Sequence, residues 1–307
     1  MNLTKCSSLL AFVCIVHVAI NAQTEPGIRL DPSAYAADVT FVKFEHGFFS
    51  NFDIPPTTGT STAVHVYNRA GRRVLQLAVS VPQAIETGVT DVAFSGDGRI
   101  AVSGGATAAD SQSTGMIAFF DSKGNGLSIV RTATFVPLKI SFAEDGTLWA
   151  LGYELDANGR LPSYSMLRQY SSAGTLAQSA LLNSAVSVDK RVSPANGAQL
   201  AVSGGVVAVY ARSENMFVEI SSQTGEIMQQ FSGPSRSACT VRHFGRTKSG
   251  SLFATCESRS STGIYKFETQ SKQWKPVSGL SGTIVGTDGE QVVLWTPAQS
   301  VIWTQGL

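Results

Sequence analysis

Side chains able to do chemistry are sparse in this sequence, and their spacing matches no catalytic pattern. Of four histidines, His17 lies in the leading segment, and His46, His65 and His243 stand far apart. No HExxH zinc pattern, GxSxG nucleophile elbow or Walker phosphate loop occurs. Gly124-Asn-Gly126 is a GxG, but it sits between two strand patterns, where no helix N-terminus can cradle a phosphate. Asp121-Ser-Lys-Gly-Asn-Gly126 resembles half a calcium loop, yet Lys123 takes a liganding position and no Glu follows at the right spacing. Motifs therefore assign no catalytic residue, no metal ligand and no cofactor.

The cysteines carry a clearer message. Met1 to Lys5 is short with one positive charge, Leu9 to Ile20 is mostly apolar, and Ile20-Asn21-Ala22 ends on a small residue. That order predicts a signal peptide over 1–22 and a secreted or periplasmic protein. The apolar run is too short and too interrupted to leave a stable membrane span. Removing it discards Cys6 and Cys14 and leaves Cys239 and Cys256, seventeen apart, on either side of Thr247-Lys-Ser-Gly250. A hairpin centred between Thr247 and Lys248 would bring the two face to face, so a disulfide is expected in an oxidising compartment.

Composition narrows the classes. The 307 residues are 43% hydrophobic and 15% charged, with 23 basic against 22 acidic side chains. Enough apolar surface exists for a core, which excludes disorder. A near-zero net charge removes the electrostatic drive for nucleic acid or an anionic membrane.

Internal repetition is the strongest signal. Asp91-Val-Ala-Phe-Ser-Gly-Asp-Gly-Arg-Ile-Ala-Val-Ser-Gly aligns with Lys139-Ile-Ser-Phe-Ala-Glu-Asp-Gly-Thr-Leu-Trp-Ala-Leu-Gly, each reading as strand, turn, strand. Weaker copies turn at Gly47, Gly197, Gly250 and Gly289, so that with Gly98 and Gly146 the turn glycines are spaced by 51, 48, 51, 53 and 39. A second hairpin follows the first in each unit, turning at Gly71, Gly124, Gly174 and Gly225, with Gln270-Ser-Lys272 in the fifth place. Four strands per unit and little helical periodicity predict an all-β, six-bladed β-propeller of four-stranded antiparallel blades over 23–307. Too few residues follow Gly289 for a full unit. Gly27-Ile-Arg-Leu-Asp31 is therefore expected to supply the outermost strand of the last blade and close the ring.

Val89 to Gly104 and Leu138 to Gly152 resemble the inner hairpins of six-bladed propellers of the TolB-like and NHL-repeat type. Ser193 and Arg246 stand where the inner phenylalanine of that pattern would fall in blades four and five. The resemblance implies a ligand site at one mouth of the central channel, near the start of the innermost strands. Seven residues ahead of the turn glycines stand Asp91, Lys139, Lys190 and His243, with Glu86, Asn183 and Asp189 in the loops leading there. Asp91, Glu86 and Asp189 are candidate oxygen ligands, and His243 with Asp91 a candidate acid–base pair. Tyr153, Tyr164 and Phe52 lie near variable loops and are expected to offer aromatic anchors. The four tryptophans fall in strand patterns and are expected to pack between blades.

Two functions follow. The first is a non-catalytic binding scaffold for a protein or for a small-molecule or carbohydrate ligand. The second is a metal-dependent lactonase or hydrolase resembling gluconolactonase-type propellers, with Glu, Asn and Asp side chains converging on the channel axis.

Overall fold

Alternating apolar residues interrupted by polar, glycine-bearing turns produce twenty-three strands among the described residues of the computed structural model. These residues are 27–30, 42–52, 62–110, 112–154, 156, 161–187, 193, 195–235, 239–258, 262–296 and 300–304. The expected signal peptide lies outside them.

Blade one comprises β1 (Lys43–Glu45), β2 (Phe48–Phe52), β3 (Ala63–Asn68) and β4 (Arg73–Ala78). Blade two follows with β5 (Ala84–Phe94), β6 (Ile100–Ala108), β7 (Ser113–Phe120) and β8 (Gly126–Arg131). Blade three holds β9 (Phe135–Phe142), β10 (Leu148–Glu154), β11 (Ser165–Tyr170) and β12 (Leu176–Leu182), then a single helical turn, α1 (Asn183–Val186). Blade four is β13 (Gln199–Ser203), β14 (Val206–Ala211), β15 (Met216–Ser221) and β16 (Ile227–Ser232). Blade five is β17 (Thr240–Arg246), β18 (Leu252–Glu257), β19 (Thr262–Glu268) and β20 (Gln273–Pro276). The last blade has β21 (Thr283–Asp288), β22 (Gln291–Trp295) and β23 (Val301–Trp303).

Within every blade, neighbouring strands pair antiparallel in chain order. Blades one and six merge into one seven-stranded sheet because their innermost strands touch in parallel, Phe44 opposite Gly286. A Cβ on Gly286 would sit 2.0 Å from the Phe44 carbonyl oxygen, so only glycine permits that approach.

The missing strand of the last blade comes from the start of the described chain. Ile28 bridges Val301 antiparallel, with N–H···O distances of 2.8 and 2.7 Å in the two directions. Its place in the ring is confirmed by the next blade. The turn glycines Gly124, Gly174 and Gly225 each press on the preceding blade's outer strand, against Leu75 and Leu77, Val130, and Gln178 and Ala180 respectively. Gly71 presses in the same way on Ile28 and Arg29.

The second hairpins turn where a short polar side chain caps the loop. Asn68 Oδ1 accepts the N–H groups of Ala70 and Arg72, Asp121 Oδ1 those of Lys123 and Asn125, and Ser171 Oγ those of Ala173 and Thr175. In blade five Lys272 takes the glycine's left-handed conformation at φ 53°.

The core is divided among the blade interfaces. Val64, Val66 and Leu77 of blade one meet Val92, Phe94 and Val102 of blade two. Blades two and three share Phe119, Phe135 and Phe142, and blades three and four share Trp149, Leu167 and Val209. Phe217 and Phe244 join blades four and five, and Phe253 and Ile284 blades five and six. Leu30, Phe44, Phe49 and Trp303 join six to one. Every neighbouring pair, including last with first, thus buries its own apolar cluster, and the propeller is closed. Trp149 and Trp303 are fully buried in these interfaces, while Trp274 and Trp295 are partly buried against them.

Three expectations need correction. Blade four does not turn at Gly197, which closes a separate turn ahead of β13; the hairpin reverses at Gly204-Gly205, with φ of 57° and 72°. Ser193 is accordingly not an inner-strand residue. Cys239 and Cys256 are bonded, 5.3 Å apart at Cα, but Cys256 lies opposite Val241, because a bulge at Arg242 and the 247–251 loop shift the register.

Candidate functional site

The innermost strands surround a cavity of about 380 Å³. Its wall is built from β1, β9, β13, β17 and β21, with Asp91 reaching in from β5. Blades two, three and five close their inner hairpins with matching five-residue loops, between Phe94 and Ile100, Phe142 and Leu148, and Arg246 and Leu252. Asp91, Lys139 and His243 stand three residues before those closing pairs, hence at one height, and all three line the cavity.

Most of the charge in the wall is internally matched. Lys43 Nζ donates to Asp91 Oδ2 at 3.3 Å and to the Ile140 carbonyl at 2.5 Å, and lies 3.7 Å from Glu45 Oε2. Asp91 Oδ2 also accepts the Ile140 N–H at 2.9 Å. Glu45 accepts the Phe94 N–H at 2.9 Å and the Ser141 hydroxyl at 2.5 Å. One ammonium and two carboxylates thus stitch the inner strands of blades one, two and three. Burial pulls the Lys43 pKa down, as the largest single effect, but Asp91 and Glu45 together outweigh it and hold it above the ordinary lysine value.

Arg246 takes the inner position that phenylalanine holds in blades two and three. Its Nε donates to Glu219 Oε1 at 3.0 Å and its Nη1 to the Ser203 carbonyl at 2.7 Å. Gln229 Nε2 donates to the other Glu219 oxygen at 2.6 Å. Both charged side chains are below one-tenth exposed, so this is a buried ion pair joining blades four and five. At the end of the channel where the inner hairpins reverse, Lys248 lies 3.7 Å from Glu144, and both are largely exposed.

Other expected site residues fall elsewhere. Glu86 is paired opposite Thr107 on the long β5–β6 hairpin and does not line the cavity. Asp189 and Lys190 lie outside the described residues, and the count that selected Lys190 began from Gly197, which is not the hairpin turn. Asn183 is structural: its Oδ1 accepts the Tyr164 N–H and its Nδ2 donates to the Pro162 carbonyl. Tyr164 and Phe52 are not exposed anchors, at 3% and 4% exposure. The Tyr164 hydroxyl lies 2.7 Å from Ser193 Oγ, and burial raises its pKa.

The residues that sequence reasoning missed are Lys43, Glu45, Gln199 and Arg246. Lys43-Phe-Glu45 carried a signal, because its alternation ahead of Gly47 puts both charges on the face opposite Phe44. The Asp91 carboxylate is engaged by Lys43 and by backbone. Among the described residues no three His, Cys, Asp or Glu side chains come together as a metal ion would require. No helix among them is long and apolar enough to cross a membrane.

No protein-family model matches the chain, and no curated protein does either. Solved structures do. An exported protein of Bacteroides fragilis NCTC 9343 matches with a TM-score of 0.54 and 10% identity, over 92% of this chain and 95% of that one. A luciferin-regenerating enzyme matches with a TM-score of 0.54 and 14% identity, over 94% and 96%. Hydrazine synthase of Kuenenia stuttgartiensis gives 0.50 and 10%, over 75% and 68%. At such identities the likeness is one of fold, and the fold they share with this chain is the propeller-like arrangement of antiparallel sheets.

Proposed function

We propose that this chain is an exported propeller that binds a ligand in its central channel without transforming it. The observation that carries the reading is the state of the channel carboxylates. Asp91 Oδ2 is taken by Lys43 and the Ile140 N–H, and Glu45 accepts the Phe94 N–H and the Ser141 hydroxyl, so both carboxylates are tied into the wall and only Asp91 Oδ1 is left unengaged among the described residues, too few oxygens to hold a metal ion. A cavity of about 380 Å³ on a rigid ring falls within the range of small-ligand sites. The buried Cys239–Cys256 disulfide suits an oxidising compartment, and the Bacteroides fragilis protein of like fold is described as exported.

The luciferin-regenerating enzyme of like fold keeps catalysis in view, and the test is set against it. Purified protein is exposed to calcium, zinc and manganese, dialysed, analysed for metal, and assayed on small lactones and esters. The expected result is under about 0.1 metal ion per chain and no turnover above buffer, as a wall without converging free oxygens requires. Stoichiometric metal with turnover lost in Asp91→Asn would replace this reading with the hydrolase one.

A further inference from the structure

The channel wall is unevenly matched. Lys43 is held by Asp91 and Glu45, Arg246 by Glu219, and Lys248 by Glu144 at the far end. Lys139 lines the same cavity, is partly buried, and makes no ion pair or side-chain hydrogen bond among the described residues. Gln199, at the start of the next blade's inner strand, also lines the cavity, its carboxamide making no hydrogen bond among the described residues. His243, one blade further and at the height of Lys139, completes an arc of nitrogen-bearing side chains on three consecutive inner strands.

From this arrangement we infer that the channel selects a small organic anion of about monosaccharide size, its carboxylate seated on Lys139 and Gln199. The inference rests on the reading of the channel as a binding site and adds the charge of the occupant. An unpartnered ammonium in a partly desolvated cavity loses hydration that no protein group replaces, and an incoming carboxylate restores it through charge-assisted hydrogen bonds. A cationic ligand would meet the same ammonium as a like charge. The neighbouring carboxylates Asp91 and Glu45 make no ion pair with Lys139: Asp91 Oδ2 bonds to Lys43 and the Ile140 N–H, and Glu45 to the Ser141 hydroxyl and the Phe94 N–H.

The test uses three matched probes differing in charge: galacturonate, galactose and galactosamine, titrated calorimetrically into the intact protein at low and high salt. Galacturonate is expected to bind, at least about tenfold tighter than galactose, and to weaken as salt rises. Lys139→Met should weaken galacturonate by about tenfold or more, Lys139→Arg should retain most of the affinity, and Lys248→Met should change it by less than about twofold. Thermal melting of the unliganded variants supplies a second measurement, with Lys139→Met expected to melt no lower than the parent, because it removes an unmatched charge. Equal binding of galactose and galacturonate, or galacturonate binding indifferent to Lys139→Met, overturns the anion assignment while leaving a channel binding site in place. Absence of binding by all three at about 10 mM, the weak end of specific recognition, also overturns it. The turnover and metal test above judges the broader reading separately.

Discussion

Ile28 and Val301 exchange both of their backbone hydrogen bonds, so the strand that finishes the last blade comes from the opposite end of the chain. Leu30, two residues on, is 2% exposed and packs with Phe44, Phe49 and Trp303. The latch is therefore held by pairing and by apolar burial together.

Removing its donor should loosen the whole ring. Ile28→Pro deletes the N–H that reaches Val301, and we expect a loss of about 1–3 kcal/mol in denaturant unfolding, with Ile28→Val costing about 1 kcal/mol. Hydrogen exchange should show the loss first at β23. Protection unchanged there in the proline variant would contradict the closure.

The Arg246–Glu219 pair makes a sharper prediction. Arg246→Met strands a buried carboxylate that only Gln229 still serves, at an expected cost of about 3–5 kcal/mol. Arg246→Met combined with Glu219→Met should recover most of that loss, because two apolar side chains replace a desolvated pair. A double variant as unstable as the single one would show that the pair does more than neutralise itself.

Backbone conformation separates two turns that are equivalent in the repeat. Gly71 has φ 78°, and a Cβ there would lie 2.4 Å from the Arg29 carbonyl oxygen, so Gly71→Ala is expected to cost more than about 1 kcal/mol. Lys272 already bears the strain of a side chain at φ 53°, so Lys272→Gly should be neutral or stabilising by up to about 1 kcal/mol. Parallel urea titrations decide both.

Acid should weaken the blade-two hairpin. The Ser95 hydroxyl, and then Arg99, hold the Asp97 pKa down at about 2. A lowered carboxylate pKa adds stability above the ordinary aspartate value and loses it as pH falls through about 2. The side chain is mostly exposed, so solvent screening leaves about 0.5 kcal/mol. Asp97→Asn should remove that much at pH 6 and nothing at pH 1.5, as followed by urea unfolding. Lys43 works in the opposite direction: its pKa is raised, so its contribution is whole below the ordinary lysine value and disappears only in strong alkali.

The architecture was legible because turn chemistry repeats. Asp-Gly at 97–98 and 145–146 marks two hairpins that match residue for residue, and the segment around Ile28 had a vacancy to fill. Blade four was misplaced for an instructive reason. Ala-Val-Ser-Gly-Gly occurs at both 101–105 and 201–205. In blade two it lies within β6, where Gly104 passes close to the Gly88 carbonyl, and in blade four it ends β13 and forms the reversal itself. Tertiary contacts, not local sequence, decide between the two. Part of the channel ring, Asp91, Lys139 and His243, could be found by counting back from glycines. Lys43 and Glu45 could not, because blade one reverses in two residues, at His46-Gly47, where blade two uses five. Arg246 registered only as a departure from pattern, since its partners Glu219 and Ser203 are brought to it by the neighbouring blade.

The latch also orders events in time. The Ile28 bridge spans more of the sequence than any other described strand pairing, and Ile28 emerges from synthesis long before Val301. Blades two to five can fold as they appear, but the circle cannot shut until β23 has been made. Until then Phe44 and Phe49, which pack on Trp303 in the closed ring, stand open to water, so this rim is where a chaperone would find its grip and where a stalled molecule would begin to aggregate.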